Sequence, residues 1–145
     1  MSTKYRVQNP KNNEIVESFD FITDDALETA LTTANDTFKQ WREKSFEERA
    51  EVLRKVAKLF DEQRVELTRI IAEEMGKSVK GGDGEINDVV EIFNYYADNG
   101  AEFGADEEIP NQRGGTSVMR KVPLGVILGI MPWNFPYYQV ARFAA

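Results

Sequence analysis

The chain of 145 residues is 41% apolar and 30% charged, the composition of one globular domain or a piece of one rather than of a disordered tail. Its 25 acidic residues outnumber the 18 basic ones, for a formal net charge of -7, so phosphate backbones and anionic membrane surfaces repel it and no nucleic-acid partner is expected. It contains no cysteine and no histidine, which removes disulfides, Cys/His metal sites, thiol nucleophiles and imidazole bases from its own repertoire.

Tyr5 and Val7, then Ile15 and Val16, flank the turn-forming run Asn9-Pro10-Lys11-Asn12-Asn13, which predicts a β-hairpin near the N-terminus. Met1 is followed by polar Ser2, Thr3 and Lys4 with no apolar leader. No later run reaches the ~18 apolar residues of a membrane span, so a cytoplasmic location without membrane attachment is expected.

Helical periodicity follows. Thr23 or Asp24 caps a helix whose stripe Leu27, Leu31, Ala34, Phe38 and Trp41 is expected to be buried. Ser45 and Glu48 have capping-box spacing, and Phe46, Ala50, Leu53, Ala57 and Phe60 form the inward stripe of a second helix. Asp61-Glu62-Gln63 marks a bend before Leu67, Ile70 and Ile71, a set that ends at Met75 and a Gly76 C-cap.

A fourth helix carries Ile86, Val89, Val90, Phe93, Tyr96 and Ala97. The preceding Gly81-Gly82-Asp83-Gly84 lacks the order of a phosphate loop and follows no strand; it predicts a weak, mobile helix start. Basic residues interleaved with glutamates, as from Glu47 to Arg54, read as solvated faces.

Beyond Gly104 the period changes. Glu107 to Pro110 and Asn111 to Gly115 read as loop, and Val118 with Lys121-Val122 reads as a half-exposed strand ended by Pro123. Val126-Ile127-Leu128 and Ile130-Met131, stopped by Pro132, have the nearly continuous apolar character of a strand buried on both faces of a parallel sheet. The last residues, Val140 to Ala145, lack a glycine stop or polar tail, the ending expected of a fragment. No internal repeat appears, and the helices hold no convergent acid, base and nucleophile.

Chemical information concentrates in Pro123-Leu124-Gly125-Val126-Ile127-Leu128-Gly129-Ile130-Met131-Pro132-Trp133-Asn134-Phe135-Pro136. In open α/β sheets ligands bind beyond the carboxyl ends of strands, where Trp133 and Asn134 fall. Prolines on either side restrict the backbone around Asn134. Taken alone, the turn also fits Asn134 as the cap of a following helix. Asn134 and Arg142 are separated by two helical turns, which predicts that they share one face of that helix.

This segment resembles the aldehyde dehydrogenase superfamily, whose members carry P-x-G-V-x-x-x-I-x-P-W-N-F-P at the end of a nucleotide-domain strand. Similar residues at Asn9-Pro10, Glu48-Arg49 through Leu53, Glu74-Met75-Gly76-Lys77 and Tyr95-Tyr96-Ala97 extend the likeness over almost the whole chain. The resemblance implies an α/β fold and the N-terminal portion of such a protein: a β-hairpin (1–22), a helical region of about four helices (23–104), an arm strand for oligomerisation (105–123), and the first buried strand of a Rossmann-like nucleotide-binding sheet with its following helix (124–145). The catalytic domain is absent from this plan.

The same resemblance implies roles. Asn134 stabilises the oxyanion formed when a thiolate attacks an aldehyde. Ile130, Met131, Pro132 and Trp133 line the nicotinamide-ribose side of NAD or NADP, and Phe135 faces the substrate tunnel. Arg142 matches an arginine that pairs with the distal carboxylate in branches oxidising succinate semialdehyde; a plain surface arginine is the competing assignment. The family's nucleophilic cysteine, general-base glutamate and Gly-rich pyrophosphate turn correspond to no residue here. The implied activity is NAD(P)-dependent oxidation of a small-molecule aldehyde, succinate semialdehyde favoured, by a homo-oligomeric full-length protein, with this chain alone inactive and without a metal. Two alternatives remain at this point: a non-catalytic interaction or oligomerisation module of the same ancestry, and a generic helical domain.

Overall fold

A computed structural model describes residues 4–112 and 114–145. Met1, Ser2 and Thr3 of the first predicted segment, and Arg113 of the predicted loop, lie outside the described residues. Strands β1 (Lys4–Gln8) and β2 (Ile15–Asp20) pair antiparallel, Tyr5 opposite Phe19 and Val7 opposite Glu17, with a register shift after Val7. The turn is built as its composition predicts: the Asn9 side chain accepts from the Lys11 N–H at 2.9 Å, that of Asn12 from the Glu14 N–H at 3.1 Å, and Asn13 adopts φ 62°, a conformation asparagine tolerates.

Helix α1 (Asp24–Trp41) is capped by Thr23, whose hydroxyl accepts from the Ala26 N–H at 3.2 Å. Its expected burial is corrected by the structure: none of its residues is buried, Leu27, Leu31 and Trp41 are exposed, and Ala34 and Phe38 are half-buried. An amphipathic stripe is buried only where another element faces it, and the remaining helices pack against one another instead.

Helix α2 (Phe46–Glu62) opens with the predicted capping box, the Ser45 hydroxyl accepting from the Glu48 N–H at 3.1 Å and the Glu48 carboxylate from the Ser45 N–H at 2.8 Å. After a break at Gln63, α3 (Arg64–Met75) ends at Gly76, which takes φ +80°. That glycine also seats the hairpin turn: a Cβ there would lie 2.9 Å from Pro10 Cγ, so the C-cap and the docking of β1–β2 demand the same absence of a side chain.

Helix α4 (Val79–Phe103) is the central element, with α2, α3 and α5 (Pro136–Ala144) packed against it. Buried Ala57, Val89, Phe93 and Ala141 form the core, flanked by Leu53, Phe60 and Tyr137. The Phe60 ring stacks on Phe93 at 6.1 Å and meets Tyr137 edge-on at 5.8 Å, separations at which aromatic pairs attract. Within the predicted α2 stripe, Ala50 and Ala57 are buried whereas Phe46 at the helix start is exposed.

The glycine run is not a loose prelude to α4. Helix begins at Val79, capped by the Ser78 hydroxyl, which accepts from the Gly81 N–H at 3.1 Å. A Cβ on Gly82 would approach Ile71 Cγ2 to 3.0 Å and Thr68 Cγ2 to 3.1 Å. Close approach of α3 and α4 is what the glycine permits, and tertiary packing overrides its poor helix propensity.

Glu107–Ile109, expected as loop, forms β3 and pairs with β4 (Ser117–Met119), Glu108 opposite Val118. A three-residue strand carries almost no period of its own, so its partner decides its state. Arg120 clasps Asp106 at 3.0 and 2.6 Å, and Lys121 meets Glu107 at 2.6 Å, closing the base of this arm. Lys121 and Val122 lie beyond β4.

The largest departure concerns 124–131. The expected strand buried on both faces is not formed: the segment pairs with no strand among the described residues, and Leu128 and Ile130 are each 84% exposed. A parallel strand exists only as part of a ladder, and the described residues offer this one no neighbour. The overall class remains mixed α/β, five helices with two small antiparallel sheets among the described residues.

Candidate functional site

The turn from Pro132 to Pro136 joins the extended segment to α5. Pro136 occupies the first helical position, where its missing N–H costs nothing, and it disfavours helical backbone at Phe135, the N-cap, which takes φ -142°, ψ 63° and makes no side-chain capping bond. Asn134 therefore precedes the helix and does not cap it. The expected alignment of Asn134 with Arg142 on one helical face does not hold, because helical spacing begins only after Phe135. No hydrogen bond joins the two residues among the described residues.

The orphan N–H groups of α5 are satisfied from a distance. Glu85 of α4 accepts from the backbone N–H of Tyr137 at 2.8 Å and of Tyr138 at 3.1 Å, both through Oε1. Its other carboxylate oxygen takes the Lys77 ammonium. Lys77 Nζ also donates to the Asn134 carbonyl at 3.1 Å and sits 3.6 Å from the centroid of the Phe135 ring. The Glu85 side chain is 0% exposed and that of Lys77 13%. A full negative charge meets the positive end of the helix dipole, and the lysine compensates it.

In the sequence Lys77 stands out only through the family likeness of Glu74-Met75-Gly76-Lys77, and Glu85 belongs to no motif. A signal was present: Glu85 stands four residues before Val89 and eight before Phe93, squarely on the buried stripe of α4. A carboxylate in such a place requires a partner.

The predicted site residues are disposed as follows. Asn134 is exposed, and its side-chain amide has no hydrogen-bond partner among the described residues. Trp133 is 77% exposed and, with Pro136 and Tyr137, borders a hollow closed by β1 and α3. Ile130, Met131 and Arg142 come together around a shallow depression of about 300 Å³. The Arg142 guanidinium lies 5.5 Å from the Tyr138 ring centroid, and Tyr138 in turn meets Phe135 edge-on at 6.1 Å. Burial, and then the charges of Glu74, Glu85 and Glu66, raise the Tyr137 phenol above its ordinary pKa, and the phenol donates to the Leu67 carbonyl at 3.1 Å. Among the described residues no group of carboxylates is placed to hold a metal, and no helix is long and apolar enough to cross a membrane.

The chain as a whole is similar to known proteins. The chain is 38% identical to a Deinococcus radiodurans protein named succinate-semialdehyde dehydrogenase [NADP(+)], over 94% of this chain and 28% of that protein. A Mycobacterium tuberculosis protein named succinate-semialdehyde dehydrogenase [NADP(+)] 1 is 37% identical over 94% of this chain and 30% of its own length. The crystal structure of succinic semialdehyde dehydrogenase from Streptococcus pyogenes in complex with NADP+ superimposes with a TM-score of 0.90 at 35% identity, covering 95% of this chain and 30% of that one. The chain thus spans less than a third of the length of these relatives. The model of the aldehyde dehydrogenase family matches residues 1–145, and the chain belongs to that family.

Proposed function

We propose that this chain is the N-terminal portion of an enzyme that oxidises an aldehyde to a carboxylic acid with NAD(P), with succinate semialdehyde as substrate and NADP as the favoured cofactor. The names of its relatives support substrate and cofactor. The observation that carries the chemistry is Asn134: an exposed side-chain amide, uncommitted to other groups among the described residues, on a turn held rigid by Pro132, Pro136 and Lys77. An N–H donor fixed in advance stabilises the alkoxide that develops as a thiolate adds to the carbonyl carbon.

The residues fit one side of a dinucleotide. Ile130 and Trp133 present exposed apolar surface, Met131 is half-buried beside them, and the backbone leading to Pro132 is committed to no sheet among the described residues. Ile130, Met131, Pro132 and Trp133 would hold the nicotinamide-ribose end through this surface. When bound, the dinucleotide accepts the hydrogen and electron pair leaving the aldehyde carbon. Phe135, its ring packed on the Lys77 ammonium, walls the approach of the aldehyde, and Arg142 binds the carboxylate at its far end. The nucleophile and general base come from the part of the relatives' length that this chain does not span, so the 145-residue chain by itself oxidises no aldehyde.

Steady-state assay of the full-length protein with succinate semialdehyde and either dinucleotide tests this reading. Asn134→Ala is expected to lower kcat by roughly 100-fold, the usual cost of one oxyanion donor, and wild-type turnover in that variant would sink it. We also infer a homo-oligomeric full-length protein, supported by the exposed β3–β4 arm, whose edges have no partner among the described residues and fit strand addition by a second copy.

A further inference from the structure

We propose that Lys77 and Glu85 are positioning residues: a buried ion pair on α4 and its N-terminal approach that sets the direction of the Asn134 amide. The inference rests on the reading of Asn134 as oxyanion donor. With no hydrogen bond from its own side chain among the described residues, Asn134 takes its aim from its backbone. That backbone is anchored at the Asn134 carbonyl by Lys77 Nζ, and just beyond by Glu85, which holds the Tyr137 and Tyr138 N–H groups. The two anchors are bonded to each other, so turn and helix start are fixed as one unit.

The chemistry explains why this unit is charged. Two adjacent N–H groups in the first turn of α5 favour an anion over a neutral acceptor. An anion with no exposed surface requires a cation, and lysine supplies three donors on one nitrogen. One reaches Glu85, another the Asn134 carbonyl, and the ammonium also rests on the Phe135 ring, an attraction that grows when water is excluded. Lys77 thus holds both the residue aimed at the oxyanion and the residue walling its approach. A misplacement of about 1 Å in such a site costs up to roughly 100-fold in rate.

The test uses the full-length protein carrying Lys77→Met, Lys77→Arg, Glu85→Gln, Asn134→Ala and the double variant Lys77→Met/Asn134→Ala. Lys77→Met is expected to speed hydrogen-deuterium exchange across 132–140 and to lower kcat by about 10-fold or more, with KM for the dinucleotide changed less than about 2-fold. Lys77→Arg restores most of the activity. In the Asn134→Ala background, Lys77→Met costs little further, because the donor it aims is already gone.

Three results overturn the inference while leaving the function intact: unchanged exchange in Lys77→Met, unchanged kcat in Lys77→Met when Asn134→Ala is impaired, or an equal loss in both backgrounds. Wild-type kcat in Asn134→Ala overturns the functional reading itself, and this inference with it. Should Lys77→Met not fold, Glu85→Gln carries the test. It keeps an acceptor for the two N–H groups but loses the charge that holds Lys77, so faster exchange with lower kcat is expected, and wild-type values for both overturn the proposal.

Discussion

Glu85 accepts a hydrogen bond from the backbone N–H of Tyr137, 52 residues further along the chain, and so caps α5 from the interior of α4. Truncating this carboxylate leaves two partly buried N–H groups unsatisfied and the Lys77 ammonium without its counter-charge. Glu85→Ala is therefore expected to destabilise the full-length protein by about 3–5 kcal/mol, the usual cost of breaking a buried pair from one side. Urea unfolding followed by circular dichroism measures this; a loss below about 1 kcal/mol would mean that water replaces the carboxylate.

Neighbouring glycines of α4 are expected to respond in opposite directions. At Gly84 nothing lies within 4 Å of an added Cβ, so Gly84→Ala should stabilise the helix by about 0.5–1 kcal/mol through propensity alone. Gly82→Val forces a branched side chain against Ile71 and Thr68 and should destabilise by about 1–3 kcal/mol. Thermal midpoints of the two variants decide the matter, and a shift of the same sign in both would contradict the close α3–α4 approach.

The α2 capping box makes acid stability sensitive to one carboxylate. The Lys44 ammonium, followed by the Ser45 backbone N–H and hydroxyl, holds the Glu48 carboxyl down to about 2. A folded pKa below the unfolded one means that this stabilisation is complete above the ordinary carboxylate range and is lost as pH falls toward 2. The melting temperature of Glu48→Gln is thus expected to lie below that of wild type at neutral pH, with the gap closing on acidification. The slope does not vanish in the variant, since Arg120 also holds Asp106 below its usual value. A gap that stays constant from about pH 6 to 2 would remove Glu48 from the account.

Arg142 tests substrate choice. If its guanidinium pairs with a distal carboxylate, Arg142→Leu lowers kcat/KM for succinate semialdehyde by about 10- to 100-fold, the worth of a charge-assisted bond. An uncharged aldehyde of similar length should be oxidised nearly as well as before. Equal losses on both substrates would show that Arg142 serves only to pack on Tyr138.

Local signals in the sequence proved legible where the chemistry that makes an element is local. Asn9 to Asn13 dictated a turn, Ser45 with Glu48 a capping box, Gly76 a left-handed C-cap. Helix α1 shows the limit of such signals: its apolar stripe is unmistakable in Leu27, Leu31 and Trp41, yet these side chains stay exposed because periodicity names a face without naming what covers it. Segment 124–131 fails as a strand for the same reason, since a ladder needs partners that the described residues do not contain.

The sequence by itself determined the helical periodicity, the caps at Thr23, Ser45 and Gly76, the proline-bounded turn around Asn134 and, through that motif, the family. Tertiary structure alone decided that Gly82 marks a helix contact, that Asn134 and Arg142 occupy no common helical face, and that Lys77 and Glu85 govern the turn. Caps and turns arise from atoms within four residues of one another, whereas a buried charge reveals its purpose only when distant backbone is folded against it.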